Sequence, residues 1–339
     1  MFEDTAVLDP ALLESFRGRQ CLVTGGLGFI GSNLAMTLAA LGARVTVVDS
    51  LVPTHGANRR NLEGAAGPID VIEADVSDAG AVGDAARRAA VIFNLAGQVS
   101  HVQSMAQPLF DLEVNTRSQL GFLEILRAVS SESVVVYTST RQIYGHPRYL
   151  PVDEDHPASP VDVNGVTKYA AEQLHLLYGQ LYGIKATSVR LSNVYGPRQR
   201  LCGDLQGFLP AFVRRALAGE PITVFGDGEQ ERDCLYVDDV IECLLSAASS
   251  PDAPDAVFNV GNDERLSVRA IAEAIVAEAG TGSVESVPWP ADRDAIDIGS
   301  YFGDSSKAKR LLGWEPSTPF ADGVRETIDF YRSRRQWYL

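Results

Sequence analysis

The segment that most limits what this chain can fold into is Thr24–Gly31, TGGLGFIG, which follows a short apolar run and leads into a helical stretch over Phe29–Leu41. Glycines at 25, 28 and 31 allow a tight turn, a close backbone approach to a pyrophosphate, and close packing of helix on strand. The helix that follows offers unpaired N–H groups and a partial positive charge to that anion. A second β-branched run, Arg44–Asp49 (RVTVVD), ends in an acid. A carboxylate at that strand end accepts hydrogen bonds from an adenosine ribose and repels a 2′-phosphate, which favours NAD over NADP. Asp49 as a plain turn cap before Ser50 is the competing reading, and Arg59 and Arg60 are the residues that could serve a 2′-phosphate.

Further short apolar runs at Ile69–Glu73, Val91–Leu95 and Ser133–Thr138 alternate with helical patterns over Ala81–Ala90 and Leu109–Val129. Strands apolar on both faces and separated by helices predict a doubly wound parallel α/β sheet of Rossmann type with right-handed crossovers. We expect this NAD-binding domain over residues 19–190, with returning segments near 225–262. A smaller C-terminal α/β lobe for substrate should occupy mainly 191–339. Residues 1–18 read as an extension with a short helix capped near Asp9-Pro10. Val166–Tyr182 reads as helix, Lys185–Leu191 as strand, Ser267–Ala279 as an amphipathic helix behind a serine cap, and Ser283–Gly303 as loop.

The chain has 339 residues, 45% hydrophobic and 22% charged, which fits a globular core rather than a disordered chain. Its net charge of −15 opposes nucleic-acid phosphates and anionic lipid, so neither is expected as a partner. No apolar run is long enough to span a bilayer, and the acidic N-terminus lacks a signal-peptide pattern. Cys21, Cys202, Cys234 and Cys243 have no zinc-site spacing. No metal is expected, and a reducing, cytoplasmic setting fits.

Beyond TGGLGFIG, several segments together resemble the extended short-chain dehydrogenase/reductase family, in its nucleotide-sugar epimerase and dehydratase branch (UDP-glucose 4-epimerase-like). They are EADVSD (73–78), NLAGQVS (94–100), YTSTRQIYG (137–145), GVTKYAAE (165–172), RLSNVYGPR (190–198), VFGDGEQERDCLYVDDV (224–240) and FGDSSKAKRLLGW (302–314). The resemblance implies that Gly25, Gly28, Phe29, Ile30, Gly31 and Asp49 hold NAD. Asp75 and Val76 would flank its adenine, and Asn94, Leu95, Ala96 and Gly97 would line it. Ser139 and Thr140 would hydrogen-bond the sugar hydroxyl being oxidised, and Lys168 would bind the nicotinamide ribose. Asn193, Arg232 and Arg293 would hold a diphosphate, and Val224 or Phe225 the base. The helices over 109–129 and 166–182 resemble those that pair in family homodimers.

The sequence departs from that pattern at two places. The family's Tyr-x-x-x-Lys pair reads Asn164-Gly165-Val166-Thr167-Lys168, and an amide has no accessible titration. Tyr169 lies roughly 140° around the helix from position 164 and is poorly placed to substitute. Tyr144, His101 and Asp162, on loops or strand ends near the same rim, are the candidates for proton handling; Asn164 itself could bind the hydroxyl or a relaying water. Where 4,6-dehydratases carry an Asp-Glu couple, this chain has Arg141-Gln142, and neither can act as acid or base at neutral pH. Elimination is therefore disfavoured, and so is decarboxylation. The expectation is an NAD-dependent epimerase acting on a UDP-, GDP-, dTDP-, CDP- or ADP-linked sugar, most simply at C4 through a 4-keto sugar. The alternatives are a reductase or oxidase with net redox change, and a non-catalytic sugar-nucleotide-binding protein.

Overall fold

A computed structural model describes residues 10–52, 55–129, 132–203, 207–290 and 297–338. Seven strands form one parallel sheet: β1 (Gln20–Thr24), β2 (Arg44–Asp49), β3 (Ile69–Glu73), β4 (Val91–Asn94), β5 (Val134–Thr140), β6 (Lys185–Leu191) and β7 (Val257–Val260). Their order is β7-β6-β5-β4-β1-β2-β3. The order reverses between β1 and β4, whose residues Thr24 and Asn94 pair at the carboxyl ends. That crevice is the switch point at which doubly wound sheets bind ligands. The strands are short and rich in Val and Ile because both faces are covered. Val91, Ile92, Phe93, Val135, Val136 and Tyr137 are fully buried.

The covering helices include α1 (Pro10–Phe16), α2 (Phe29–Ala40), α3 (Ala79–Arg88), α4 (His101–Ala106), α5 (Pro108–Leu112), α6 (Ser118–Ala128) and α7 (Val163–Tyr182). The α1 helix gives the N-terminal extension a structural purpose: Phe16 is fully buried, its ring 6.3 Å from Phe93 of β4. The cap expected at Asp9 lies outside the described residues. The Asp78 carboxylate accepts from Gly80 N–H and Ala81 N–H, which starts α3 two residues earlier than the pattern suggests. Asp162 caps α7 in the same way, so that helix begins at Val163 rather than Val166.

Two further expectations are corrected. The helix over 109–129 is not regular: α5 and α6 are joined by a π-turn, Glu113–Arg117. The segment expected as loop over 283–303 contains a strand, Ser283–Val287, paired parallel to Pro221–Phe225. Its burial alternates weakly, so periodicity did not mark it. Beyond β6 lie α8 (Phe208–Ala218), α9 (Val237–Ser249) and α10 (Val268–Ala279). The predicted cap of α10 is present: Ser267 accepts from Ala270 N–H. No helix among the described residues is long and apolar enough to cross a membrane.

Candidate active site

One cavity of about 550 Å³ runs along the carboxyl ends of the strands, from the glycine loop to the mouth between β6 and α8. At one end stand Gly25, Gly28, Phe29, Ile30 and Gly31, with Asp49 at the tip of β2 and Asp75 and Val76 after β3. The α2 helix begins at Phe29 with no side chain capping its N-terminus, which leaves its N–H groups for an anion. A Cβ on Gly31 would lie 2.3 Å from the Gly25 carbonyl oxygen, so only glycine lets helix and loop close this tightly. Gly25 has φ +66, the left-handed region that favours glycine.

Asp49 accepts from Leu27 N–H (3.0 Å) and Leu51 N–H (2.9 Å), one on each oxygen. Burial pushes its carboxyl up against these two bonds. Each oxygen keeps a lone pair for a ribose hydroxyl. Arg59 is paired with Glu73 (2.5 Å) and Arg60 with Glu63 (3.1 Å), and neither lines the cavity, so the 2′-phosphate alternative loses its cations.

Leu95, Ala96 and Gly97 form the next wall. A Cβ on Gly97 would meet the Asn115 Oδ1 at 2.9 Å and the Lys168 Nζ at 3.4 Å. Asn94 lies beneath this wall, fully buried, accepting from Thr24 Oγ1 (2.6 Å) and donating to Gln119 (2.7 Å). These are fits for a flat, extended group in a cradle that any side chain would fill.

The far end holds Ser139, Thr140, Arg141, Gln142, Asn164, Lys168 and Asn193. Lys168 donates to Thr138 O (2.8 Å), and its Nζ sits 4.9 Å from the centre of the Tyr137 ring. Burial lowers its pKa to about 8, against the opposing pull of Asp111 and Glu172. It therefore carries its charge at neutral pH, poorly solvated. The Ser139 Oγ, Arg141 Nη1, Gln142 Oε1 and Asn193 Nδ2 are buried without a hydrogen-bond partner. Buried polar atoms normally find partners, so their gathering along one wall marks a surface built for a polar ligand.

Asn164 is 1% exposed and its amide is committed. Nδ2 donates to Gln98 O (2.9 Å) and Asp111 Oδ2 (3.1 Å), and lies 3.3 Å from Gln98 Oε1. Asp111 and Asn115, four residues apart, were missed in the sequence reading. The π-turn turns Asn115 inward, where Oδ1 accepts from Gln98 N–H (2.8 Å) and Nδ2 donates to Asp111 (3.2 Å).

Several expected site residues are placed elsewhere. The Tyr144 hydroxyl donates to Asn259 Oδ1 (2.6 Å) and accepts from Arg190 (2.6 Å), and the residue does not line the cavity. Burial pushes its phenol up to about 12, against Arg190. Arg190 in turn forks onto the buried Glu172, at 2.6 and 3.0 Å. Tyr144 is thus part of a structural network rather than of the reaction wall. Arg232 also turns away: it donates to Gly299 O (2.6 Å) and Glu231 O (2.8 Å) and faces Asp297 at 3.7 Å. Among the described residues, the cations that line the cavity at this end are Lys168 and Arg141. Val224 is wholly buried in the core, and Phe225 packs on Trp289 with ring centres 5.3 Å apart; neither lines the cavity. Gln199 and Gly207, from a loop whose irregular sequence gave no pattern to read, line it instead, with Phe208, Leu209 and Pro210 at the start of α8. Arg293 lies outside the described residues.

His101, at the start of α4, also lines the cavity. Its Nδ1 contacts Asp162 Oδ2, and its Nε2 lies 2.5 Å from Gln142 Nε2. Burial pushes the Asp162 carboxyl up, but the His101 hydrogen bond and charge, Gly165 N–H and Arg141 outweigh it, leaving it below the usual carboxylate value. No group of His, Cys, Asp and Glu among the described residues could hold a metal ion.

Comparison with known proteins agrees with this geometry. A UDP-glucose 4-epimerase from Mycolicibacterium smegmatis is 33% identical over 316 residues, 93% of this chain and 99% of that protein. A UDP-N-acetyl-alpha-D-glucosaminuronate decarboxylase from Bacillus cytotoxicus is 29% identical over 322 residues, 93% and 98% of the two chains. The solved structure of Thermus thermophilus UDP-glucose 4-epimerase in complex with NAD superposes with a TM-score of 0.82 at 33% identity, over 93% of this chain and 99% of that one. The pattern of the NAD dependent epimerase/dehydratase family matches residues 21–261. With the glycine loop, the acid at the end of β2 and the cradle at Gly97 all fitting a dinucleotide, this chain belongs to the NAD-dependent epimerase/dehydratase family, and NAD is its cofactor.

Proposed function

We propose that the chain is a nucleotide-diphosphate-sugar epimerase acting at C4 of the sugar. The observation that carries this reading is the composition of the wall beyond Lys168. Ser139, Asn193 and Arg141 offer unpartnered polar groups there, while the two positions after Thr140 hold Arg141 and Gln142. Loss of water across a sugar needs a carboxylic acid and a carboxylate in different protonation states, and this wall has neither at those positions. Redox chemistry without elimination is what the remaining groups serve.

Bound NAD would supply the site with a hydride acceptor that becomes a hydride donor. The glycine loop and Asp49 would hold its pyrophosphate and ribose, and Leu95, Ala96 and Gly97 would support its length. Ser139 and Thr140 would orient the sugar hydroxyl. Lys168 would hold a fixed positive potential beside the oxygen that gains charge as the ketone forms and is reduced. Relatives named as UDP-glucose 4-epimerases support the reading, while relatives named as decarboxylases and dehydratases share its fold.

The test is incubation of the purified protein with UDP-, GDP-, dTDP-, CDP- and ADP-linked sugars, some deuterated at C4, followed by NMR. Epimeric sugar nucleotides that retain deuterium are expected. Loss of the label to solvent, or no conversion of any sugar by protein that contains NAD, would refute the reading.

A further inference from the structure

A C4 epimerase must take a proton from the sugar hydroxyl and later give it back. The Asn164 amide cannot do this, and both its hydrogens already have acceptors in Gln98 and Asp111. Tyr144 is held by Arg190 and Asn259 outside the cavity. Tyr169 does not line the cavity either, and packs against the cluster of Ile143, Tyr144, Val152 and Tyr301.

Two imidazoles line the cavity, His55 and His101. His55 lies against Phe110, with ring centres 5.2 Å apart. His101 is the one joined to the Ser139–Thr140 strand end. Gln142 bridges them: its backbone N–H donates to Thr140 Oγ1 (3.2 Å), and its amide reaches His101 Nε2 (2.5 Å). On the other side of the ring, Nδ1 meets the carboxylate of Asp162, a residue only 5% exposed. With Nδ1 donating to the Asp162 carboxylate, a neutral ring keeps its lone pair on Nε2, the nitrogen beside the Gln142 amide. A partly exposed imidazole, backed by a buried carboxylate and facing the cavity, has the arrangement of a general base with its orienting group.

We propose that His101, oriented by Asp162, is the group that accepts and returns the proton of the sugar hydroxyl. The assignment rests on the epimerase reading above. In the forward step the sugar O–H bond breaks and an N–H bond forms at Nε2, replacing the hydrogen bond from Gln142. The positive charge on the ring is balanced by the Asp162 carboxylate. In the return step the proton goes back to oxygen. The accompanying oxidation and reduction of the carbon draw on the family's NAD. Asp162 acts as a positioning residue. It has a second duty at the helix start, where Oδ1 accepts from Gly165 N–H (2.7 Å), and asparagine caps helices about as well as aspartate. The Asp162→Asn variant therefore keeps α7 intact, but with Oδ1 on the cap its amide nitrogen faces Nδ1, which removes the charge behind the imidazole and favours the tautomer with the proton on Nε2.

The experiment compares NAD-containing wild type, His101→Ala and Asp162→Asn on the sugar nucleotide that the wild type converts. His101→Ala should lose about 10²–10⁴-fold in kcat, the usual worth of a positioned acid–base group. Its affinity for the sugar nucleotide, measured calorimetrically, should be unchanged, and free imidazole should restore part of its kcat. Asp162→Asn should also lower kcat severalfold or more, because it removes the lone pair from Nε2, while leaving KM unaltered and preserving thermal stability. Wild type active with His101→Ala equally active overturns the assignment and leaves the epimerase reading standing. Loss of activity together with sugar-nucleotide affinity, and without imidazole rescue, overturns it too. A wild type that converts no sugar nucleotide removes the epimerase reading first, and this assignment with it.

Discussion

Replacing Lys168 by methionine should change how the stability of the fold depends on pH. Lys168 is 5% exposed, and its ammonium donates to Thr138 O at 2.8 Å and lies 4.9 Å from the centre of the Tyr137 ring. Its pKa falls from 10.5 to about 8 because burial disfavours the charged form more than Asp111 and Glu172 favour it. Below about pH 8 the folded and unfolded chains both hold the proton, and the fold bears the full penalty of a buried charge. Between about 8 and 10.5 the unfolded chain still holds the proton and the folded one does not, so stability rises with pH across that window. At ~1.4 kcal/mol per pKa unit, the whole window is worth about 3 kcal/mol, and the interval from pH 7.5 to 9.5 about 2 kcal/mol. The assay is urea denaturation of wild type and Lys168→Met at both pH values, without added NAD. Other groups titrate in the same range, but they are common to both proteins and drop out of the difference. The stability of wild type should gain about 2 kcal/mol more than that of the variant on going to the higher pH. Parallel pH curves for the two proteins would show that the ammonium is better solvated than its surroundings indicate, and would refute the reasoning. The lysine is a destabilising charge at neutral pH, kept where a site needs positive potential.

Gly31→Ala should abolish NAD retention, because its Cβ would lie 2.3 Å from the Gly25 carbonyl oxygen and 2.8 Å from the Gly26 Cα, backbone atoms that cannot yield locally. Quantifying the NAD released on denaturing the purified variant checks this, and stoichiometric NAD would contradict it. Leu181→Glu should convert a homodimer into a monomer. Val166, Leu177 and Leu181 on α7, beside Leu109, Leu112 and Leu120 on α5 and α6, expose apolar side chains at spacings that share a helix face. Sedimentation velocity of both proteins decides it, and a monomeric wild type would show that this face does not self-associate.

The parts of the fold that the sequence made legible are those where one residue type is dictated by backbone or burial. TGGLGFIG placed the cavity because glycine is required by contacts of its own loop, and the Val-rich runs placed the sheet because both faces are covered. What stayed hidden depends on partners distant in sequence. Tyr144 follows the Ser139–Thr140 strand end closely, yet Arg190 and Asn259 draw its hydroxyl into the core. Arg232 suits a diphosphate, but the carbonyl of Gly299, 67 residues away, claims its guanidinium. His101 and Asp162 are 61 residues apart, and only the tertiary fold makes them a pair. The strand over 283–287 was missed for another reason: it is a short edge strand, and its pattern lacks the alternation of a half-buried one.

The π-turn at Glu113–Arg117 has an implication for insertions and deletions. It adds one residue to a turn, and each residue advances a helix by about 100°. Deleting one residue within it would mend the helix locally, yet swing everything on one side of the repair around the axis relative to the other. Either Asp111 would leave Asn164 and Thr167, or Phe122, Leu123 and Leu126 would leave the sheet. The irregularity works as a phase shifter, letting one rod serve a polar pocket with its first half and an oily core with its second.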